Sequence, residues 1–234
     1  TAFFHPFTPK ALKLFITGTS TEVGKTYVTR LLLQALGKLG LSAAGFKPIA
    51  CGERTDAEEL AACSFPAPPS IDLINPVFFK NPAAPMAASM IEATQADIPA
   101  IKNAYGRMAE QYEYVLVEGI GGWEVPISAD YAMSDLAADL NLPVLVVVDN
   151  RLGAINHTIL TANAIKAMGL KIAGIILNHV SDERDAASIS NRAVLEELLN
   201  PPLMLDILHG TTEISWPFPC QQDNQPQPCD KEKA

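Results

Sequence analysis

Residues 12–40 read LKLFITGTSTEVGKTYVTRLLLQALGKLG, and the order of residue types in them decides the fold. Leu12–Thr17 is an apolar run of strand length. The loop Gly18-Thr19-Ser20-Thr21-Glu22-Val23-Gly24-Lys25-Thr26 follows it. From Lys25 to Leu39 the apolar residues Val28, Leu31, Leu32, Ala35, Leu36 and Leu39 recur at i, i+3, i+4 spacing, which predicts an amphipathic helix that Gly40 stops. Strand, glycine-bounded loop and helix in this order form a phosphate loop, whose backbone N–H groups and helix N-terminus converge on phosphate oxygens. Lys25 is then expected to reach the β and γ phosphates, and the Thr26 hydroxyl to ligate Mg²⁺. The standard spacing would put the first glycine where Thr19 stands, so the loop is a variant. An isolated Gly-Lys-Thr turn is the bland alternative, and the strand and helix on either side argue against it.

Outward from this loop, strands and helices alternate. Leu41–Ile49 reads as a second strand. Gly52–Pro85 is dense in Pro, Ala and Ser and reads as a long irregular excursion around a site. Ala93–Gln111 is expected to be helical and Tyr114–Val117 a buried strand. Ser134–Leu140 is a short helix and Val144–Val148 the most apolar strand. Helix Ala154–Met168, strand Ile172–Leu177, helix Glu183–Leu199 and a last strand, Leu203–Leu208, complete the pattern. Helices between continuous apolar strands imply one α/β domain with a doubly wound, mainly parallel sheet. Residues 1–11 are expected to be an N-terminal extension. Residues 217–234, rich in Pro and Gln, are expected to form a tail that adds little to the core.

Composition narrows the function classes. The 234 residues are 48% hydrophobic and 18% charged, enough apolar material for a sizeable core. A net charge of −9 without a Lys/Arg block excludes a phosphate-tracking nucleic-acid binder and an anionic membrane surface as partners. One local pocket can still bind a small anion. No apolar run reaches the roughly 18 residues a membrane span requires, and Thr1–Leu14 lacks the pattern of a secretory signal. Cys51, Cys63, Cys220 and Cys229 form no Cys-x-x-Cys pair, so reduced thiols in a cytoplasmic protein are expected.

Four further residues carry chemistry by position. Glu118 ends the strand Val115-Leu116-Val117, and a carboxylate at the C-terminal end of a buried strand faces the ligand crevice of an open α/β sheet. It could hold Mg²⁺ or be an ordinary turn acid. Gly119, Gly121 and Gly122 behind it favour a ligand, since they let one approach the backbone closely. Lys47 ends the second strand and points toward the phosphate loop by the same argument; a solvated surface lysine is the alternative. Asp56 could be a third magnesium ligand or the N-cap of a helix over Ala57–Ala62. Asn178 ends the strand Ile172–Leu177, where its amide could read a purine edge. The sequence Asn178-His179-Val180-Ser181 lacks the Asn-Lys-x-Asp pattern that selects guanine, so adenine is expected. His157, inside a helix, is as well explained by packing as by a ligand.

Taken together, the chain resembles the dethiobiotin synthetase family, ATP-dependent enzymes of biotin biosynthesis within the phosphate-loop NTPases. The resemblance rests on Gly18–Thr26 with its variant glycine, Gly45-Phe46-Lys47-Pro48-Ile49, Val115–Trp123, Leu152-Gly153-Ala154-Ile155-Asn156-His157 and the strand ending at Asn178. It implies Lys47, Lys25 and Thr21 as catalytic residues, and Thr26, Asp56 and Glu118 as the magnesium set. The implied nucleotide contacts are Glu22, Val23, Gly24, Lys25, Thr26, Tyr27, Asp56, Glu118, Gly119, Ile120, Gly121, Asn178 and His179. Thr21, Gly121 and Gly122 would lie near the diamine and its carbamate, and Cys51 would contact the substrate. Leu152, Gly153 and Asn156 would hold the substrate's carboxylate tail from the partner subunit of a homodimer.

The implied reaction joins CO₂ to 7,8-diaminononanoate as a carbamate, phosphorylates the carbamate with ATP and closes a cyclic urea. Such a site works by positioning, charge stabilisation and exclusion of water. Three positions depart from the family pattern: Cys51 stands where Ser is frequent, Gly52–Asp56 is short, and Leu205-Asp206-Ile207-Leu208 replaces Gly-Glu-Ile-Pro. Two other readings compete. A glutamine-dependent amide synthase needs a second domain for which the chain has no room. A partitioning ATPase that only switches carries a second lysine near the loop start, where this chain has Gly18-Thr19-Ser20-Thr21.

Overall fold

The computed structural model describes residues 11–183 and 185–218. A six-stranded sheet forms the centre: β1 (Lys13–Gly18), β2 (Ala43–Phe46), β5 (Tyr114–Gly122), β6 (Val144–Asp149), β7 (Ile172–Asn178) and β8 (Met204–Ile207). Its spatial order is β2-β5-β1-β6-β7-β8, and every pairing is parallel. Alternation along each strand sorts the side chains to two faces. Leu14, Ile16, Leu116, Leu145 and Val147 pack with Val28, Leu32 and Leu36 of α1 (Lys25–Lys38). Phe15, Val115, Val117, Val146 and Val148 pack with residues of α5 (Ile98–Gln111), α6 (Met133–Leu140) and α7 (Ala154–Ala167). Both faces are covered, which is why β6 can be wholly apolar up to Val148.

Four stretches differ from the sequence expectation, each for a local reason. Leu41–Ile49 is not one strand: Pro48 has no N–H to donate, and the chain breaks into β2 and a separate β3 (Ile49–Cys51). The excursion after Gly52 is ordered. It holds α2 (Thr55–Ala62), α3 (Ile71–Ile74) and β4 (Val77–Phe79), which pairs in parallel with β3. Ala93 (φ 51) ends a helix α4 (Pro85–Glu92) instead of opening one, and α5 starts only after Asp97, whose side chain accepts from Ala100 N–H. The last helix, α8 (Ala186–Leu199), begins three residues later than expected because Asp185 caps it by accepting from Ser188 N–H at 2.7 Å.

Beyond β8 the chain runs back over the α1 face. Tyr27 donates its hydroxyl to Thr211 O. Trp216 meets Tyr114 edge-on at 5.6 Å between centroids, and Phe218 packs on Trp216 at 5.0 Å. Residues 1–10, the tail after Phe218 and with it Cys220 and Cys229 lie outside the described residues. Among the described residues no helix is long and apolar enough to cross a membrane.

Candidate active site

β1 lies between β5 and β6: the connection from β1 runs to β2 on one side of it, and the connection from β5 crosses to β6 on the other. Ligands bind at such a switch point, beyond the C-terminal strand ends. A cleft of about 1080 Å³ opens there. Its floor is the phosphate loop, tied to β6 by Thr19 N–H donating to Val147 O at 3.0 Å. Glu22 (φ 59) and Gly24 (φ 85) both take left-handed backbone, and no side chain caps α1, so the first N–H groups of the helix face the cleft end uncapped. Gly24 is obligatory: beyond its dihedral, a Cβ there would overlap the Asn178 amide.

Glu118 continues β5 past the expected strand end and is fully buried. Its Oε1 accepts from Thr26 Oγ1 at 2.7 Å and from Lys47 Nζ at 2.6 Å. Lys47, 4% exposed, also donates to Asp56 Oδ2 at 2.7 Å. The structure thus brings Lys47, Asp56, Glu118 and Thr26 together. Asp56 lies within the first turn of α2 and Arg54 occupies the cap position, so the capping alternative for Asp56 does not apply.

Electrostatics follows from this geometry. Burial alone would lower the Lys47 ammonium, but Glu118 and Asp56 outweigh it and hold its pKa above the ordinary lysine value. Burial opposes the charge on Asp56, and Lys47 outweighs it in turn, keeping that carboxyl below the usual carboxylate range. Lys25, bonded only weakly to Ser20 O at 3.4 Å, is lowered to about 8 by burial and by the like charge of Lys47. The second oxygen of Glu118 is buried without a hydrogen-bond partner. Two carboxylates, one of them with an orphaned buried oxygen, and a hydroxyl are the hard donors a magnesium ion takes when substrate phosphates and water complete its shell, so the residues fit that ion.

Thr21, Glu22, Gly24, Tyr27, Cys51, Ile120, Gly121 and Gly122 all line the cleft, as does Trp123. Gly121 (φ 63) turns the chain so closely that a Cβ would stand 2.7 Å from Val125 Cγ2. Burial pushes the Cys51 thiol up to about 11, with Glu92 adding to the effect and Lys47 opposing it. Other expected residues lie elsewhere. Val23 packs its side chain into the α1-side core, and Gly119 backs onto Phe15. Asn178 donates to Val23 O at 2.9 Å while its Oδ1 is buried without a partner. The His179 ring sits within 3.1 Å of Asn150 Nδ2 and 3.3 Å of Asp206 Oδ1, away from the cleft lining. Leu152, Gly153 and Asn156 are exposed at the start of α7 and do not line this chain's own cleft; His157 is exposed as well.

Several lining residues had no signal in the sequence. Pro82–Pro85 form one wall, and Leu160, Thr161 and Ala164 of α7 reach the rim. Small and apolar residues carry no chemical signature, and only the tertiary fold brings them here.

The family profile described as "AAA domain" matches residues 12–206. The ATP-dependent dethiobiotin synthetase of Akkermansia muciniphila is 48% identical over 195 residues, covering 83% of this chain and 91% of the relative. The enzyme of the same name from Aromatoleum aromaticum is 40% identical, covering 83% and 89%. Among solved structures, the septum site-determining protein MinD of Pyrococcus horikoshii, complexed with Mg-ADP, shares the fold at TM-score 0.53 and 16% identity, over 82% of this chain and 79% of that one. A ParA family ATPase from Chlorobium tepidum does so at TM-score 0.52 and 12% identity, over 87% and 85%.

Proposed function

The chain belongs to the ATP-dependent dethiobiotin synthetases, and from that premise we propose how its own residues carry the reaction. The enzyme is a cyclo-ligase of biotin biosynthesis. Its substrates are 7,8-diaminononanoate, CO₂ and ATP. One amine adds to CO₂ as a carbamate, and a carbamate oxygen takes the γ-phosphoryl group of ATP. The second amine then attacks the carbonyl carbon and expels phosphate, leaving dethiobiotin, ADP and phosphate.

The observation that carries our residue assignment is Lys47: a buried ammonium at the cleft floor, held between two carboxylates and beside the phosphate loop. Lys47 and Lys25 stabilise charge on the phosphoryl group in transfer, and the loop N–H groups fix the phosphates. Thr26, Glu118 and Asp56 would hold magnesium, which would supply neutralisation of phosphate charge when bound. Thr21, Gly121 and Gly122 orient the carbamate, with Cys51 beside them, and the backbone from Glu22 to Tyr27 with Glu118–Gly121 wraps the nucleotide. The unpaired Asn178 Oδ1 is an acceptor suited to the exocyclic amine of adenine.

The substrate's carboxylate tail is taken by Leu152, Gly153 and Asn156 of a second copy in a two-fold homodimer. This reading is supported by the exposure of those residues, by their absence from the chain's own cleft and by Leu160, 60% exposed on the same helix at the cleft rim. The free thiols Cys51 and Cys63 fit a cytoplasmic setting.

Kinetics tests the assignment. Lys47→Ala should lower kcat by orders of magnitude, whereas Asn156→Ala should chiefly raise KM for the diamine, because one interaction strengthens in the transition state and the other is ground-state binding. Near-normal turnover of Lys47→Ala would overturn it. The partitioning-type switch shares only the fold. It would hydrolyse ATP at a rate indifferent to diamine and bicarbonate.

A further inference from the structure

Lys47 stands where the open edge of the sheet breaks. Among the strands of the sheet β2 pairs only with β5; its other side holds a single bridge, Ala43 to Phe65, and Pro48 cannot donate there. The main chain around the lysine is held by residues 74–77 in place of a neighbouring strand. Lys47 N–H donates to Ile74 O at 2.9 Å, and Val77 N–H donates to Pro48 O at 3.3 Å. Between these two bonds the Lys47 carbonyl receives its hydrogen bond from a side chain, Asn75 Nδ2, at 2.9 Å.

Asn75 is fully buried and uses its whole amide. The same Nδ2 donates to Val77 O at 3.0 Å, and Oδ1 accepts from Arg54 Nε at 3.1 Å. Arg54 also donates from Nη2 to Asn75 O at 3.1 Å and lies over the Phe78 ring at 5.0 Å. Arg54 immediately precedes α2, whose first turn carries Asp56. The backbone suits the role. Pro76 disfavours helical dihedrals at Asn75, which takes φ −129 and ψ 79 and ends α3. One buried amide thus joins the segment carrying Lys47 to the segment carrying Asp56, whose side chains meet at 2.7 Å.

We propose that Asn75 is a positioning residue for phosphoryl transfer: it fixes the Lys47 main chain, and through Arg54 the start of α2, so that the Lys47 ammonium is set at its place before substrate arrives. The proposal rests on the reading of Lys47 given above. A preset ammonium avoids reorganisation during the reaction, and misplacement by about 1 Å can cost on the order of a hundredfold in rate.

A double-mutant cycle in the full chain tests it. Enzymes carrying Asn75→Ala, Lys47→Gln, both substitutions, or Leu73→Ala are assayed at a temperature where circular dichroism shows each folded. Leu73 is buried in α3 and does not line the cleft, so it is the packing control. Asn75→Ala should lower kcat about ten- to a hundredfold, with ATP affinity by equilibrium dialysis within about twofold of the parent. In the Lys47→Gln background it should lower kcat no further, because its target is already lost. Leu73→Ala should lower the melting temperature while leaving kcat near the parent value.

The same factor lost in both backgrounds, or an equal loss from Leu73→Ala, would overturn the proposal. An impaired Lys47→Gln enzyme beside an unimpaired Asn75→Ala enzyme would overturn the proposal alone. A fully active Lys47→Gln enzyme would overturn the reading of Lys47 on which it stands.

Discussion

Single residues carry this site because each stands where the backbone leaves it no other place. Glu118, Lys47 and Thr26 could be found in the sequence: Glu118 closes the apolar run of β5, Lys47 directly follows β2 and Thr26 lies in the first turn of the helix after the phosphate loop, and topology sends all three to one crevice. Asn75 could not, because its partners Lys47 and Arg54 are 28 and 21 positions away and only tertiary contact joins them. Lys47→Ala removes the partner of a fully buried carboxylate, so stability should fall with activity. Stranding a buried charge costs about 3–5 kcal/mol, read as a lower urea midpoint at pH 7; an unchanged midpoint would count against the pairing. Cys51 gives a pH-dependent check. Thiolate is the alkylating species, and a thiol raised to about 11 exposes less of it at pH 8 than an ordinary thiol near 9. Modification of the Cys51 peptide by iodoacetamide, followed by mass spectrometry, should keep rising tenfold per pH unit beyond pH 9. A plateau at pH 9 would contradict the burial of that group.

Elements show where local pattern suffices and where it does not. β1, β5, β6, β7 and α1 follow from apolar runs and helical spacing, since a strand covered on both faces has little freedom to be anything else. The region from Lys47 to Glu92 was not legible in detail. Its strands β3 and β4 have three residues each and α3 has four, too short for a period to register, and Pro48 divides a run that alternation alone would join. The chain after β8 was also opaque, because Trp216 is ordered by Tyr114, 102 positions earlier, and not by any pattern of its own. Trp216→Ala should remove this edge-on contact and partly buried aromatic area, lowering stability by about 1–2 kcal/mol in a urea titration. No change in midpoint would mean that the returning segment adds nothing to the fold.

The whole molecule is an acidic α/β domain whose only strongly paired lysine in the cleft, among the described residues, is Lys47. If each site draws Lys47 from one subunit and Asn156 from the other, two defective enzymes should complement. Lys47→Ala and Asn156→Ala chains, unfolded together and refolded as a mixture, place both defects in one site of each mixed dimer and leave the other intact. Roughly a quarter of all sites should then regain normal kinetics; no recovery would contradict a shared site. The fold alone does not separate a synthetase from a switch, because both hold nucleotide on the same loop. Product formation does separate them. Purified enzyme with ATP, magnesium, bicarbonate and 7,8-diaminononanoate should give dethiobiotin by mass spectrometry, equal in amount to the phosphate released and suppressed by orders of magnitude in Lys47→Ala. ATP hydrolysis that proceeds without the cyclic urea, at a rate unaffected by the diamine, would contradict the account.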